Sequence, residues 1–588
     1  MNKSSYFSWL AIDLRSLAFG RFVLGLILTA DLIFRGLNSF DFYTDVGIIP
    51  RAPMLLDIAN PQFFSIFFAV GKPYYVYLLF LIGLFFYLCF TFGYKTRFSN
   101  IIVWIFFVSL SARTPVVSHG GDDLARLALF WMIFLPTGRF FSIDSALQKI
   151  ESPSSSIDTP TTLLNFASLA LIGQLITMYF FTAYLKWHPI WHTEGTAIYY
   201  ALELDQFLTS FGFLFRQLPL SVLKALTFAT LALEFILPLL ILIPFKNSQL
   251  RWMAIMSFTA FHLGLYSVFN LGNFPWICIA YWMVFIPTHF WEKRELNLKP
   301  IQINYDPECS LCRKMCFILQ EVLFIQNIKI QPAQNNELES VKKYNSWVIT
   351  SENKTSVQYE AFIQILDNSI FKPLSIIFSN KISKLIGHKI YLTVSNQRIR
   401  YLKWLNGLSY RPAWNWDFKF WIQIPVLFAF LIGFYWNMAL LKTDDSYKIP
   451  NWMYTAGSIL RLHQNWVMFA PFPAMEDGWV IVEGQLKNGK TWDTWNNIPV
   501  SFEKPKDFSI YFKNSLWRKY LINLRMNEYE KYRLYFGRYL CRYWNDNHEG
   551  DEVVDNFKIY YIQEKSQPPG QPTQPLIHEM LWSHGCFL

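Results

Sequence analysis

Two groups of residues in this chain of 588 have the types and spacing that do chemistry. The first is INYDPECSLCRKMC (303–316), where Cys309 and Cys312 follow a strand-like run and open a helix-like one. Amide groups and the dipole at a helix start stabilise a thiolate, and Arg313 and Lys314 add positive charge. C-x-x-C in that setting reads as a redox pair: Cys309, nearer the helix start and expected to be the more exposed, attacks, and Cys312 resolves. Zinc is the rival reading, but three close thiols without a second C-x-x-C or a nearby His make a weak ligand set, and no metal is expected. Cys316, one turn further on, reads as a packing residue.

The second group is ionisable and lies in or beside apolar runs. Arg21, Asp31, Arg35, Arg113, Asp122, Asp123 and Arg126 sit where hydrocarbon is expected, and such charges normally face a bundle interior or a watery cavity. Singly, each carboxylate reads as half of an ion pair that locks neighbouring helices. Together with Lys186, His188, His192, Glu194 and His262 they would make a polar site on the outer side. Lys186 ends an apolar run and is followed by WHPIW, the pattern of a snorkelling interfacial anchor; desolvated, the same amine would have a lowered pKa and could act as a base. His262, mid-run in SFTAFHLGLYSVFNLGNFPW, reads either as a hydrogen-bonded structural group or as a catalytic one.

The elements that must hold these residues follow from composition. The chain is 53% hydrophobic and 16% charged, against about 25% charged for a soluble domain, and its apolar residues gather in runs of about 20, the helix length that crosses about 30 Å of hydrocarbon. A simple soluble enzyme is excluded. Nine spans are expected, near 17–37, 74–94, 100–117, 123–142, 162–187, 220–244, 252–269, 271–290 and 418–441. No removable signal peptide is read in the first residues, and the N-terminus is expected inside. Alternation then puts Lys95, Arg97, Arg139, Lys149, Lys246, Arg251, Lys293, Arg294 and Lys299 inside, as the positive-inside rule asks. SHGGDD (118–123), KWHPIWHTEG (186–195) and the tail after 441 fall outside. These cationic loops account for the net charge of +10 without nucleic acid, for which no basic–aromatic block exists.

Residues 300 to about 410 interrupt the pattern. IQINY reads as a strand, CFILQEVLF as a helix, and SWVIT and SVQY as two further strands, together a small α/β domain on the inner side. In the tail, an amphipathic helix (451–466) precedes a hairpin turning at Asn488-Gly489, a helical basic-aromatic stretch (512–545) and a Pro-rich loop.

The segments LRSLAFGRFVLGLILTADLIFR, FYTDVGIIPR, FGYKTRFSN, SARTPVVSHGGDDLARLALFWMIFLPTGRFFSIDSA, YLKWHPIWHTEGTAIYYAL and FHLGLYSVFNLGNFP, in this order over residues 10–295, resemble the horizontally transferred transmembrane (HTTM) domain family. HQNWVMFAPFP (463–473) in the tail adds to the likeness. That family contains the vitamin K-dependent gamma-carboxylases, in which a Lys before a W-x-E-G element deprotonates reduced vitamin K. Lys186 before Trp191, Glu194 and Gly195 resembles it, with one extra residue between Trp and Glu, and His262 resembles the His of FH…FSIGMF. The carboxylases have an Asn-Asn-His tract where this chain reads His119-Gly120-Gly121-Asp122-Asp123. The insert resembles the DCC family of thiol-disulfide oxidoreductases, signature Y-D-G-x-C-x-x-C, with Pro307 in place of Gly and IGHKIYLTVSNQRIR (386–400) as its closing element. That likeness implies a thioredoxin-like fold.

The expected architecture is a polytopic α-helical membrane protein of about nine spans: a bundle (1–298), an inserted thioredoxin-like α/β domain (299–410), a further transmembrane helix (411–442) and a soluble α+β tail (443–588). The resemblances imply catalytic roles for Lys186, His262, Cys309 and Cys312, and substrate or cofactor contacts for His119, Asp122, Asp123, Arg126, Trp191 and Glu194. The implied cofactors are a reduced, vitamin K-like quinone and the Cys309–Cys312 redox disulfide; the partners are lipid, quinone and a peptide or small protein. The setting is a bacterial cytoplasmic membrane, with the N-terminus and dithiol domain cytosolic and the tail outside. As an enzyme the protein would be a carboxylase-like lyase, a thiol-disulfide oxidoreductase, or both. A non-catalytic membrane scaffold or maturation factor for a secreted peptide, with redox activity in the insert alone, is the alternative.

Overall fold

The computed structural model describes residues 7–57, 64–151, 160–297, 300–325, 327–351, 354–397, 420–441, 448–506, 508 and 511–587. Residues 398–400 of the closing element and the first part of the 411–442 segment lie outside these.

The bundle comprises α1 (Leu14–Leu37), α2 (Pro73–Phe92), α3 (Thr96–Arg113), α4 (Gly120–Ile133), α5 (Ile143–Glu151), α6 (Phe166–Leu185), α7 (Leu220–Ile236), α8 (Asn247–Val268) and α9 (Phe274–Met283). Asp13 caps α1 and pairs with Arg15 at 2.8 Å. At the far end of α2, Gly93 takes φ +68°, and a Cβ there would lie 1.8 Å from the Arg21 guanidinium, so only glycine fits. Arg21 in turn donates to the Phe141 carbonyl at 2.6 Å.

All nine apolar segments contain helix, but among the described residues five helices are long and apolar enough to cross a membrane: Leu14–Leu37, Pro73–Phe92, Phe166–Leu185, Leu220–Leu242 and Trp421–Leu440. The others differ for physical reasons. α3 carries Arg97 and Arg113, while α4 has 14 residues and α9 has 10, which at 1.5 Å per residue gives about 21 and 15 Å. Both short helices are walled in by neighbours.

In the insert, strands β1 (Ile301–Tyr305), β2 (Ile328–Pro332), β3 (Val348–Ser351) and β4 (Lys354–Val357) form one sheet, ordered β2-β1-β3-β4, with β1 and β2 parallel and the other pairs antiparallel. Helices α10 (Ser310–Val322), α11 (Asn336–Tyr344), α12 (Gln358–Asp367), α13 (Lys372–Phe378) and α14 (Lys381–Asn396) accompany it. The insert is fastened to one end of the bundle: Glu321 accepts from Phe141 N at 2.6 Å and pairs with Lys149 at 2.5 Å, and Phe324 packs on Phe19, Phe22 and Phe141.

After α15 (Phe420–Leu440) comes α16 (Asn451–Ile459). The expected helix to 466 stops early, at a left-handed Arg461 (φ 56°), and the chain runs on without regular structure across the opposite end of the bundle. The tail sheet is antiparallel, ordered β8-β7-β5-β6, from β5 (Glu476–Leu486), β6 (Thr491–Asp493), β7 (Val554–Lys565) and β8 (Ile577–Gly585). Gly489 (φ 81°) turns the expected hairpin. α17 (Ser515–Asn523) and α18 (Tyr532–Asn545) lie between bundle and sheet, Arg518 donating to Gln206 O and Asn270 O, and Asn523 to Val116 O. A disulfide, Cys541–Cys586, ties α18 to the chain end, a pairing the sequence reading did not contain.

Where tail meets bundle, ligand oxygens of Asp205, Asp477 and Glu564 lie within 4.8 Å of one another. Lys504 bridges Asp205 and Glu564 at 2.7 and 2.5 Å, and Arg216 pairs with Asp205 at 2.6 Å. Burial first, then the charge of Asp205, push the Asp477 carboxyl up to about 7. The folded protein thus holds a proton that the unfolded chain releases above about pH 4, so stability falls as pH rises from about 4 to 7. Asp477→Asn is expected to flatten this dependence, melting above the parent protein at pH 8 and level with it at pH 4; equal shifts at both pH values would contradict it.

Candidate functional site

At the tail end of the bundle, α1 and α4 present their charges to each other. Arg35 donates to Asp31 and to Asp122, both at 2.7 Å. Asn273, just before α9, donates to the other Asp31 oxygen at 2.7 Å, and Asp122 closes a capping box with His119, accepting from its backbone N at 3.0 Å while His119 Nδ1 accepts from Gly121 N at 3.1 Å. The ion-pair reading of Asp31 and Asp122 therefore holds for these carboxylates. Asp123 pairs with Arg126 at 2.8 Å, and Arg126 reaches the tail, donating to the His463 carbonyl and lying 2.9 Å from His463 Nε2. Burial, then the guanidinium charges of Arg126 and Arg461, hold the His463 imidazole well below its ordinary value, so it faces Arg126 as a neutral acceptor. Asp122, Asp123, Arg126, His463, Tyr454 and Tyr532 are among the residues lining a cavity of about 490 Å³ here.

Lys186 caps the C-terminal end of α6 and is 3% exposed. That burial overturns the snorkelling-anchor reading; Trp187, 77% exposed, is the residue that projects. The ammonium pairs with Glu234, itself 6% exposed, and stands 4.9 Å from the Trp191 ring centroid. Trp191 is fixed by donating to the Phe469 carbonyl at 3.1 Å. Glu194, expected as a substrate or cofactor contact, is exposed and accepts from Thr196 at 3.2 Å, and His192 is also exposed. Glu234 was missed; its signal in the sequence is a carboxylate within the apolar run LSVLKALTFATLALEFI.

Two turns below Lys186 on the same stripe of α6, Tyr179 shares a 2.7 Å hydrogen bond with His262 Nε2 and accepts from Trp282 Nε1 at 3.1 Å. The Phe258 and Trp282 rings stack at 4.6 Å beside them. His262 Nδ1 and Thr182 Oγ1, the latter between Tyr179 and Lys186 on α6, are buried without a hydrogen-bond partner among the described residues. Lys186 and His262 thus share one polar seam, linked by Tyr179. The His119–Asp122 corner is a separate cluster; the Phe274 ring packs against His262 at a centroid distance of 5.7 Å.

The dithiol is at the other end. Cys309 caps α10, its sulfur accepting from Cys312 N at 3.2 Å, and the two are joined as a disulfide with Cα atoms 5.3 Å apart. Each is 9% exposed, so the expected difference in exposure is absent. Arg313 is turned to the bundle, donating to Ile150 O at 3.1 Å, and Cys316 is buried, which pushes its thiol up.

Five membrane-length apolar helices among the described residues, with charges turned into the bundle, define an integral membrane protein. Residues 10–291 match the model of the HTTM domain family, and the insert and tail lie outside the match. No curated protein and no solved structure matches the chain.

Glu234 and Glu194 make opposite predictions. Glu234→Gln strands a buried ammonium and is expected to cost about 3–5 kcal/mol of stability, whereas Glu194→Gln at the surface should change it by less than about 0.5 kcal/mol. Thermal unfolding in detergent checks both; equal effects would remove the pair from its central place.

Proposed function

We propose that the protein is a carboxylase-like membrane enzyme in which Lys186 takes a phenolic proton from a membrane-soluble quinol. The observation that carries this reading is the burial of Lys186 against Glu234, two turns from the Tyr179–His262 bond. An amine can serve as a base where a guanidinium cannot, and the pair with Glu234 holds Nζ inside the bundle beside Trp191.

The seam suits a quinol. The unpartnered His262 Nδ1 and Thr182 Oγ1 are of the kind that ring oxygens satisfy, and Phe258, Trp282 and Trp191 offer apolar faces. His262 and Thr182 would orient the oxygens, Trp191 and the paired Glu234 would keep Nζ placed, and the surrounding rings would exclude water. A bound quinol would supply an acidic phenol and reducing equivalents, with a vitamin K-like quinol able to furnish the stronger base that carboxylation of a Glu side chain needs.

The dithiol domain is proposed to be a DCC-type, thioredoxin-like redox module in the cytosol, with the tail outside. The insert and tail sit at opposite ends of the bundle, loop cations gather at the insert end, and the tail carries the second disulfide, all as that orientation asks. A bacterial cytoplasmic membrane as the setting, and a peptide or small protein as the substrate, belong to the same proposal.

Lys186→Arg keeps the charge but cannot release its proton. It is expected to leave an inserted, folded protein whose quinol-dependent turnover, or the phenotype of a deletion strain it should complement, falls at least about a hundredfold; full activity would end the base assignment. For the dithiol, Cys312→Ser should trap mixed disulfides with partner proteins through Cys309, and Cys309→Ser should not; equal trapping, or zinc bound to both, would contradict the redox roles.

A further inference from the structure

α14 is turned inside out for a helix of a soluble domain. Its contacts with the insert are made by Lys384, Gly387, Tyr391 and Ser395: Lys384 pairs with Glu360 at 2.9 Å, Gly387 is pressed on the Tyr359 ring, and Tyr391 and Ser395 donate to Ser346 Oγ and Asn345 O, each at 2.8 Å. These four residues fall on one face at helical spacing. The opposite face carries Ile382, Leu385, Ile386 and Ile390, exposed by 71, 76, 53 and 59%. In α13, Ile376 and Ile377 are likewise 76 and 58% exposed. So much aliphatic surface on adjoining helices calls for an apolar cover.

Three observations say what that cover is. The segment from Asn368 to Gln397 has four lysines (Lys372, Lys381, Lys384, Lys389) and no Asp or Glu, the composition of a helix that lies on an anionic surface. Phe371, the residue before α13, sits with its ring centroid 6.0 Å from that of Phe22 in α1, one of the five membrane-length helices, and 6.0 Å from that of Phe324. α13 therefore starts beside the bundle. Finally, the next described helix in the chain, α15, is itself long and apolar enough to span.

We propose that α13 and α14 lie on the lipid surface of the membrane that holds the bundle, with the isoleucine and leucine face in the acyl boundary and Lys372, Lys381 and Lys389 among anionic headgroups. The inference needs only that the bundle is membrane-embedded and does not depend on the chemistry proposed for Lys186 or the dithiol. Its effect would be to hold the insert, and the Cys309 end of α10, flat against the bilayer.

The test uses the full chain in lipid nanodiscs of phosphatidylcholine with one part in four phosphatidylglycerol. A photo-crosslinking benzoylphenylalanine is placed at Ile386 on the apolar face or at His388, exposed on the flank of the same helix. Phospholipid adducts at position 386 should exceed those at 388 by at least about fivefold. Replacing Lys381 and Lys389 together by Glu, or omitting the anionic lipid, should lower the yield at 386 about fivefold, the scale of one headgroup-level lysine. Equal adducts at 386 and 388, or crosslinks from 386 to a second copy or to another protein in place of lipid, would overturn the proposal. A yield indifferent to both lysines and anionic lipid would overturn the headgroup part.

Discussion

A guanidinium that is 2% exposed among membrane helices is costly unless acceptors surround it, and at Arg35 the structure meets this requirement with two carboxylates. Asp31 supplies one partner a turn earlier on α1, and Asp122 supplies the other from the first turn of α4. Each carboxylate then needs further donors, which Asn273 provides for Asp31 and the His119 backbone for Asp122. One buried charge thereby sets the register of α1, α4 and the start of α9. Losing a member would leave an uncompensated charge in low dielectric, a cost of about 3–5 kcal/mol.

The tail is joined to that framework by a short polar strap rather than by a broad apolar face alone. Between Arg461 and Met475 the chain meets the bundle through His463 on Arg126, Gln464 on Gln174 at 2.7 Å, and the Phe469 carbonyl on Trp191. The first of these holds the residues of the cavity, and the last holds the ring that stands over Lys186. The strap therefore touches both polar regions, which explains why HQNWVMFAPFP stands out although it is neither helix nor strand.

Much of the framework was legible because membrane solvation leaves a coarse signal: every apolar run contains helix, and most charges within the runs are buried, with Asp31, Arg35, Asp122 and Lys186 in ion pairs. Run length could not tell a spanning helix from one walled in by neighbours, which is why α4 and α9 read as spans. The hairpin at Asn488-Gly489 and the strand–turn–helix around Cys309 were local, and local chemistry is readable. Lys186 and His262 were found because an ionisable group in an apolar run is conspicuous. The partner of Lys186 was not legible because Glu234 comes from another helix, far from Lys186 in the chain. The Cys541–Cys586 link, 45 residues apart, had no local signature.

The Lys186 seam and the Cys309–Cys312 pair lie at opposite ends of the bundle, which limits how they can work together. α6 begins beside the start of α1, where Leu14 N donates to Thr161 O, and ends 20 residues later at Lys186, about 30 Å away along the axis. The dithiol lies beyond the starting end, joined through Glu321 to Phe141 and Lys149. No thiol of the insert can therefore touch a group held at Lys186 in this arrangement. If a quinol is used at the seam, its link to the dithiol has to be a carrier that moves through the lipid. A dithiol domain held against the bilayer is well placed to meet such a carrier, whereas one standing off in water would not be.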